Sequence, residues 1–466
     1  MSTRVPAAAA GRLRASRRDR RISAQRPGGL LRLVETARKN LLLYPSGHPQ
    51  ASAALRALGE GLADVLAEQA SIRFDIYESA FFHHNRLLLE ESLHTYGLLA
   101  DLTAQGVGSV EFLRGITPEE AARFVGLLAA IPDGQALVPT VQEMDLPHVR
   151  LGPPRTLMGR EREELEIDPR DVYRVSLRTV DSLNYNASVG APLNLRDARL
   201  LVTSMLDVIL RDRYALLGVA ALRQHDEDTV HHCVNVAVLA LMVGFRIGLD
   251  QTALGILGGA ALLHDIGKMR IPRHILIKPE RLGEEERELI NQHPLFGAEL
   301  LRHLTGQAHL AAQVALEHHM DFDRSGYPRV PATRPPHLFS RIIAMADFFD
   351  AMTSARRTYR RPLLPDQAMR RIVLAAGTRF DPVLAKIFLN LLGAYPVGSV
   401  LELSSGEIAI AYRPVEGAPL RPLIKIIRDA AGNTVEPVLV ELAKDPRRVV
   451  RCLDPAVTGI NPADYL

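Results

Sequence analysis

The feature that most constrains this chain is a set of histidines and aspartates placed inside, or at the ends of, apolar helical runs. Eleven of the 16 histidines lie between His225 and His337. His232 sits in "DEDTVHHCVNV", His264 and Asp265 close "ALLHDIGK", and His293 interrupts "INQHP". His318 and His319 end "LAAQVALEHH", and Asp347 stands within "AMADFFD". A polar group in an apolar helix costs a few kcal/mol unless it is satisfied. Imidazoles and carboxylates arriving from several helices satisfy one another best around a divalent metal. One histidine at a helix end reads as a cap or a paired core residue. The ordered set, with Lys268 one turn after Asp265, favours a shared centre.

The 466 residues exceed what one core holds, so several domains are expected. The fold class read from periodicity is mainly α: a helical bundle over 171–395, preceded by a small α+β domain at 29–138 and followed by a small antiparallel β module at 396–466. Residues 1–28 read as a disordered basic arm. The Pro-, Arg- and Glu-rich stretch 139–170 reads as a linker. Within 29–138, Thr117 and Glu120 have capping-box spacing before an apolar helix. His83–His84 and His48 read as polar turn residues, with no acidic partner at a metal-ligand spacing.

Charge and composition exclude several classes. The arm carries eight Arg and one Asp, so the net +3 leaves 3 − 7 = −4 for the remainder. The basic balance therefore belongs to the arm, which reads more simply as a solvated leader than as a nucleic-acid or lipid contact. Without Trp, and with 5% aromatics, base stacking has little to work with, which argues against a nucleic-acid ligand. Two cysteines, Cys233 and Cys452, fit a reducing compartment and no disulfide scaffold. The most apolar run, Val234 to Leu249, contains Asn235 and Arg246 and is shorter than the roughly 20 residues a membrane-spanning helix needs. A buried core helix, no transmembrane segment and a cytoplasmic protein are expected.

Taken in order, "DEDTVHHCVNV", "ALLHDIGK", "INQHPLFGAELL", "HHMDFDRSGYP" and "AMADFFDAMTSARRTYR" resemble the HD-GYP family, a branch of the HD-domain metal-dependent phosphohydrolases. The resemblance covers about residues 222–395. It implies an HD-type bundle that hydrolyses cyclic di-GMP to pGpG, GMP or both. It further implies metal ligation by His232, His264, Asp265, His293, His318, His319 and Asp347, with Asp265 bridging two ions. Catalytic roles fall on His264, Asp265 and Lys268, the last meeting a substrate phosphate. Gly326, Tyr327 and Pro328 match the signature loop that shapes the substrate pocket. The cofactors implied are two or three divalent ions, iron or manganese. Three-metal members carry Glu one turn before the first His; here that position is Asp228, which reads equally as a third-ion ligand and as a capping or solvated residue.

Two positions depart from the pattern. Arg324 stands where the family usually has Gly between the Asp and Ser of the loop, and Arg273 replaces a commonly acidic residue. Arg324 and Arg356 are candidates for phosphate or guanine contacts. Met320, which follows the histidine pair, lies with Arg324 between ligands and signature. A catalytically weak protein that binds cyclic di-GMP and metal, and a general HD nucleotide phosphohydrolase, remain as alternatives. Residues 29–138 are expected to serve regulation, with room for a homodimer or a signalling partner.

Overall fold

The structure, a computed structural model, describes residues 27–130, 137–156, 161, 164–193, 195–221, 229–303, 308–330, 334–354 and 362–466. These fall into two compact units that divide after Glu166. The Arg-rich arm to residue 26, Asp228 and Arg356 lie outside the described residues.

In the first unit, helices α1 (Pro27–Leu43), α2 (Pro49–Glu68) and α3 (Pro118–Ala130) accompany a five-stranded antiparallel sheet. Its strands are β1 (Ser71–Tyr77), β2 (Ala80–His83), β3 (Arg86–Leu87), β4 (Ser109–Leu113) and β5 (Val149–Gly152), in the order β3-β2-β1-β4-β5. Alternation in β1 sends Ile72, Phe74 and Ile76 inward. They meet Leu30, Val34, Leu58, Leu62 and Phe124 of the three helices in one core. Both tight hairpins have positive φ at their two central residues, Glu78 and Ser79 (45° and 64°) and His84 and Asn85 (47° and 64°). Two such residues make the type I′ turn that matches strand twist. His83 and His84 therefore mark a turn, and His48 is the N-cap of α2.

Three expectations for this unit need correction. Helix α1 already begins at Pro27, inside the stretch read as a disordered arm. The stretch read as a linker contains β5, which pairs with β4, and it buries Val149 of that strand and Leu146 just before it in the core. Its Pro and Arg content hid a four-residue edge strand whose alternation is too short to read. The capping box at α3 is only half formed. Thr117 Oγ1 accepts from Glu120 N at 3.1 Å, but the Glu120 carboxylate accepts from His148 N at 2.7 Å instead. That bond ties β5 to α3.

The second unit carries helices α4 (Pro169–Ser188), α5 (Leu195–Arg211), α6 (Thr229–Arg246), α7 (Gln251–Leu263), α8 (His293–Leu301), α9 (Ala308–Glu317), α10 (Leu338–Thr353), α11 (Pro365–Leu374) and α12 (Pro382–Leu392). Helix α6 is its axis, packed against α4, α7 and α10, with every residue from Val236 to Gly244 buried. By length and composition α6 could cross a membrane, yet 72% of its apolar window is buried inside the protein. It is a core helix: each fully buried Val or Leu contributes about 1.5–3 kcal/mol. Helices α8 and α9 pack together, and α9 also touches α7. A 3-10 turn, Ile266–Arg270, lies against α8 so tightly that a Cβ on Gly267 would meet His293 O at 2.0 Å. Only glycine fits there.

The chain then forms a second antiparallel sheet from β6 (Val400–Leu403), β7 (Ile408–Arg413), β8 (Leu423–Arg428), β9 (Thr434–Glu441) and β10 (Val449–Leu453), in the order β10-β6-β7-β8-β9. It belongs to the same compact unit as the helices. Leu401, Ile424 and Cys452 share a core with Leu364 and Tyr395, and Arg413 pairs with Asp212 of the helical part at 2.6 Å.

Candidate metal centre

Five segments deliver the expected residues to one place. His232 comes from the first turn of α6, and His264 and Asp265 from the junction of α7 with the 3-10 turn. His293 opens α8, His318 and His319 follow the last residue of α9, and Asp347 lies in α10. His232, His264, Asp265, His293 and His318 are each 3% exposed or less. Burying that many ionisable groups costs several kcal/mol per charge unless each finds partners.

The Asp265 carboxylate divides the donors into two groups. Its Oδ1 faces His293 Nε2 at 3.2 Å and His318 Nε2 at 3.8 Å. Its Oδ2 faces His264 Nε2 at 3.5 Å and His232 Nε2 at 3.7 Å. Asp347 extends the second side, with Oδ1 3.0 Å from His232 Nε2, and its Oδ2 lies 3.7 Å from His319 Nδ1. The donor atoms of Asp265, His293, His318 and His319 lie within 4.8 Å of one another, and so do those of His232, His264 and Asp347. Two neighbouring sets, with one carboxylate turned to both, have the form of a two-ion site.

Three rings are aimed by the same local device. Nδ1 of His264 donates to Ala261 O (2.7 Å), Nδ1 of His293 to Ile290 O (2.7 Å) and Nδ1 of His318 to Ala315 O (2.9 Å). A carbonyl can only accept, so the proton sits on Nδ1 and the Nε2 of a neutral ring offers its lone pair inward. His232 is held differently. Its Nδ1 meets Asp350 Oδ2 at 2.6 Å, and Asp350 Oδ1 accepts from Asn235 Nδ2 at 2.8 Å. Tyr173 donates to Asn235 Oδ1 at 2.7 Å, which completes a chain into α4. Sequence reasoning missed Asp350, Asn235 and Tyr173. The readable signal was spacing: Asp350 is three residues after Asp347 and Asn235 three after His232, each pair on one helix face.

Electrostatics push these groups towards the forms that bind cations. Burial lowers the His264 pKa and, helped by the neighbouring His319, holds that of His318 well below the usual imidazole range. His319 is pushed down to about 3, chiefly by burial. For Asp265, burial favours the acid, but Lys268, His264 and His293 together outweigh it and hold the carboxylate well below its ordinary range. Asp347 is likewise held low against burial by His232 and His319. Neutral imidazoles facing ionised carboxylates are what a divalent ion requires. The donor set passes a second test of fit. His264 Nε2 is buried with no hydrogen-bond partner among the described residues, a loss of about 1–3 kcal/mol that coordination would remove.

Around this centre, Lys268 Nζ pairs with Asp265 Oδ2. Tyr327 stacks on His319 with ring centroids 4.6 Å apart, and Tyr327 N donates to His319 O at 3.0 Å. A Cβ on Gly326 would meet His319 O at 2.1 Å, so the loop can lie on the histidine pair only with glycine there. Pro328 follows through a cis peptide bond. Arg324 is exposed, with φ 71°, the left-handed conformation that favours glycine. The position where the sequence departs from the family's glycine is thus one that still needs glycine's geometry.

A family model described as an HD domain matches residues 205–384. Over 258 residues the chain is 33% identical to a cyclic di-GMP phosphodiesterase of Pseudomonas aeruginosa, covering 55% of this chain and 62% of that protein. It is 38% identical over 167 residues to a cyclic di-GMP phosphodiesterase of Thermotoga maritima, covering 36% of this chain and 45% of the relative. A 3′3′-cGAMP-specific phosphodiesterase of Vibrio cholerae is 31% identical over 171 residues, covering 36% of this chain and 33% of the relative. The chain therefore spans less than two thirds of the length of these relatives. The chain thus carries an HD domain at residues 205–384, and within it the histidine pair His318–His319 and the Gly326-Tyr327-Pro328 loop folded onto it follow the pattern of the HD-GYP family.

Proposed function

We propose that the helical unit is a metal-dependent phosphodiesterase that hydrolyses cyclic di-GMP to pGpG, GMP or both. The observation that carries this reading is the Asp265 carboxylate turned to two donor sets at once. The mixed imidazole and carboxylate donors suit iron or manganese better than magnesium, which prefers oxygen ligands. Divalent ions bound there would supply Lewis acidity towards the phosphodiester and the attacking water.

The chain's own residues do the rest. His232, His264 and Asp347 would hold one ion and His293, His318 and His319 the other, with Asp265 placed to serve both. Asp350 fixes the ring of His232. Lys268, beside Asp265, supplies a point charge that can exchange its carboxylate partner for a phosphate oxygen. Tyr327, stacked on His319, covers the outer edge of the histidine pair and narrows access for water.

The test is to load the full-length chain anaerobically with iron or manganese, measure the metal content, and follow hydrolysis of cyclic di-GMP, 3′3′-cGAMP and dGTP. Turnover of cyclic di-GMP with about two ions per chain is expected. Preference for 3′3′-cGAMP would move the substrate to that of the Vibrio cholerae relative. Hydrolysis of dGTP alone would overturn the cyclic dinucleotide reading. Tight binding of cyclic di-GMP without product would make the protein a receptor.

A further inference from the structure

The signature loop is fastened at a second place, away from the histidines. The connection between α11 and α12 presents two carbonyls to it. Phe322 N donates to Arg379 O at 3.0 Å, and Asp323 N donates to Thr378 O at 2.9 Å. Gly377, with φ 90°, lets this connection turn back on itself, and its N donates to Phe380 O at 2.8 Å. A positive φ costs glycine little.

Arg379 holds the loop again with its side chain. Its Nε lies 3.5 Å from Asp321 Oδ1. An ion pair this exposed is worth little when two long side chains must be ordered to make it. Here the guanidinium is already placed. Its carbon lies 4.7 Å from the ring centroid of Phe348, in α10, and 5.4 Å from that of Phe380, and both rings are buried. Contact with two fixed rings removes much of the ordering cost.

From Asp321 the connection runs on into the signature. Its Oδ2 accepts from Ser325 Oγ at 3.2 Å, and its carbonyl accepts from Arg324 N at 2.8 Å. Gly326 passes so close that a Cβ there would meet Asp321 N at 2.7 Å. The next residue is Tyr327, stacked on His319. A path from Phe348 through Arg379, Asp321 and Ser325 therefore ends at the ring that covers the histidine pair. Asp321 belongs to neither donor set, so the path bears on the loop's position and not on ligation.

We propose that Arg379 is a positioning residue: through Asp321 and Ser325 it sets how Gly326 and Tyr327 lie over the histidine pair, and with that the affinity for substrate. Its kinetic consequence rests on the phosphodiesterase reading; the fastening of the loop does not.

The test is hydrogen–deuterium exchange of the metal-loaded, full-length chain, read on peptides covering residues 318–328, beside steady-state hydrolysis of cyclic di-GMP. Arg379→Met keeps an unbranched stem against Phe348 and removes the charge. It should speed exchange of the loop about fivefold, with peptides of α6 and α8 and the metal content unchanged. KM should rise about fivefold while kcat changes less than about twofold, the signature of lost substrate binding. Arg379→Lys should recover part of both effects. Asp321→Asn breaks the same pair from the other side, should match Arg379→Met, and serves if that variant does not fold. Loop exchange unchanged in both variants would overturn the proposal. So would exchange rising equally in α6 and α8, or kcat and metal content falling together at constant KM, since either marks a general loss of structure. If the wild-type chain hydrolyses no cyclic dinucleotide, the phosphodiesterase reading fails, and the exchange result still decides whether Arg379 fastens the loop.

Discussion

His83–His84 and His318–His319 are the same dipeptide, each with its two rings 4.1 Å apart, in opposite settings. The first pair straddles the start of a type I′ turn, where His83 Nδ1 meets Arg73 O at 2.9 Å. The second pair ends a helix whose next neighbours are Asp265, His293 and Asp347. A histidine pair by itself specifies nothing. What sets one pair apart is the company that four other segments bring to it: two carboxylates, Asp265 and Asp347, and the imidazoles of His232, His264 and His293. The first pair has one acidic neighbour of note, Asp75, and that carboxylate is taken by Arg73.

The comparison can be broken most directly at Asp265. Asp265→Ala should leave both donor sets without their common oxygen, so bound metal falls to background and turnover drops by about 10³-fold or more, roughly 4 kcal/mol. His83→Ala/His84→Ala should leave both quantities unchanged. Elemental analysis beside a hydrolysis assay reads both variants; metal retained in Asp265→Ala would refute the two-set arrangement.

A smaller effect is expected from Asp350→Asn, which weakens the group that aims His232 without removing a donor. Losses of this kind typically cost 10–100-fold in metal affinity. Competition with a chelator should show that loss on one ion, with the other held as before.

Acid should separate the two pairs next. His318 and His319 have pKa values below that of a free imidazole, so between about pH 6.5 and 3 the unfolded chain binds more protons than the folded one. Stability of the EDTA-treated protein therefore falls as pH is lowered through that window, by up to about 1.4 kcal/mol per pH unit for each such ring. His319→Ala should flatten the dependence measured by denaturant titration. His83→Ala should flatten it less, since burial lowers that ring too but leaves it half-buried.

The smallest effect concerns backbone strain near each pair. Arg324 is left-handed, as are His84 and Asn85. Arg324→Gly should relieve about 1 kcal/mol of strain, offset in part by glycine's larger unfolded entropy, for a net gain of a few tenths of a kcal/mol. A thermal melt reads the change; a clear loss of stability would show that the Arg324 side chain contributes more than its conformation costs.

Most of the centre was legible because the histidines and Asp347 break apolar periodicity where a polar group is costly. Asp350 was not, since a carboxylate in the last turn of a helix looks like surface. The conformation of Arg324 is invisible in sequence, where arginine gives no sign of positive φ. Strand β5 hid in a stretch whose prolines and charges suggested a linker.

The three bonds from His264, His293 and His318 to carbonyls three residues earlier have one more consequence. Each ring takes its bearing from its own segment, so these donors can be oriented before the segments meet, and in any order of assembly. His232 alone takes its bearing from a carboxylate 118 positions away. The arrangement resembles a lock with three fixed pins and one set from outside: whatever shifts α10 against α6 would detune one ion's coordination and leave the other's intact.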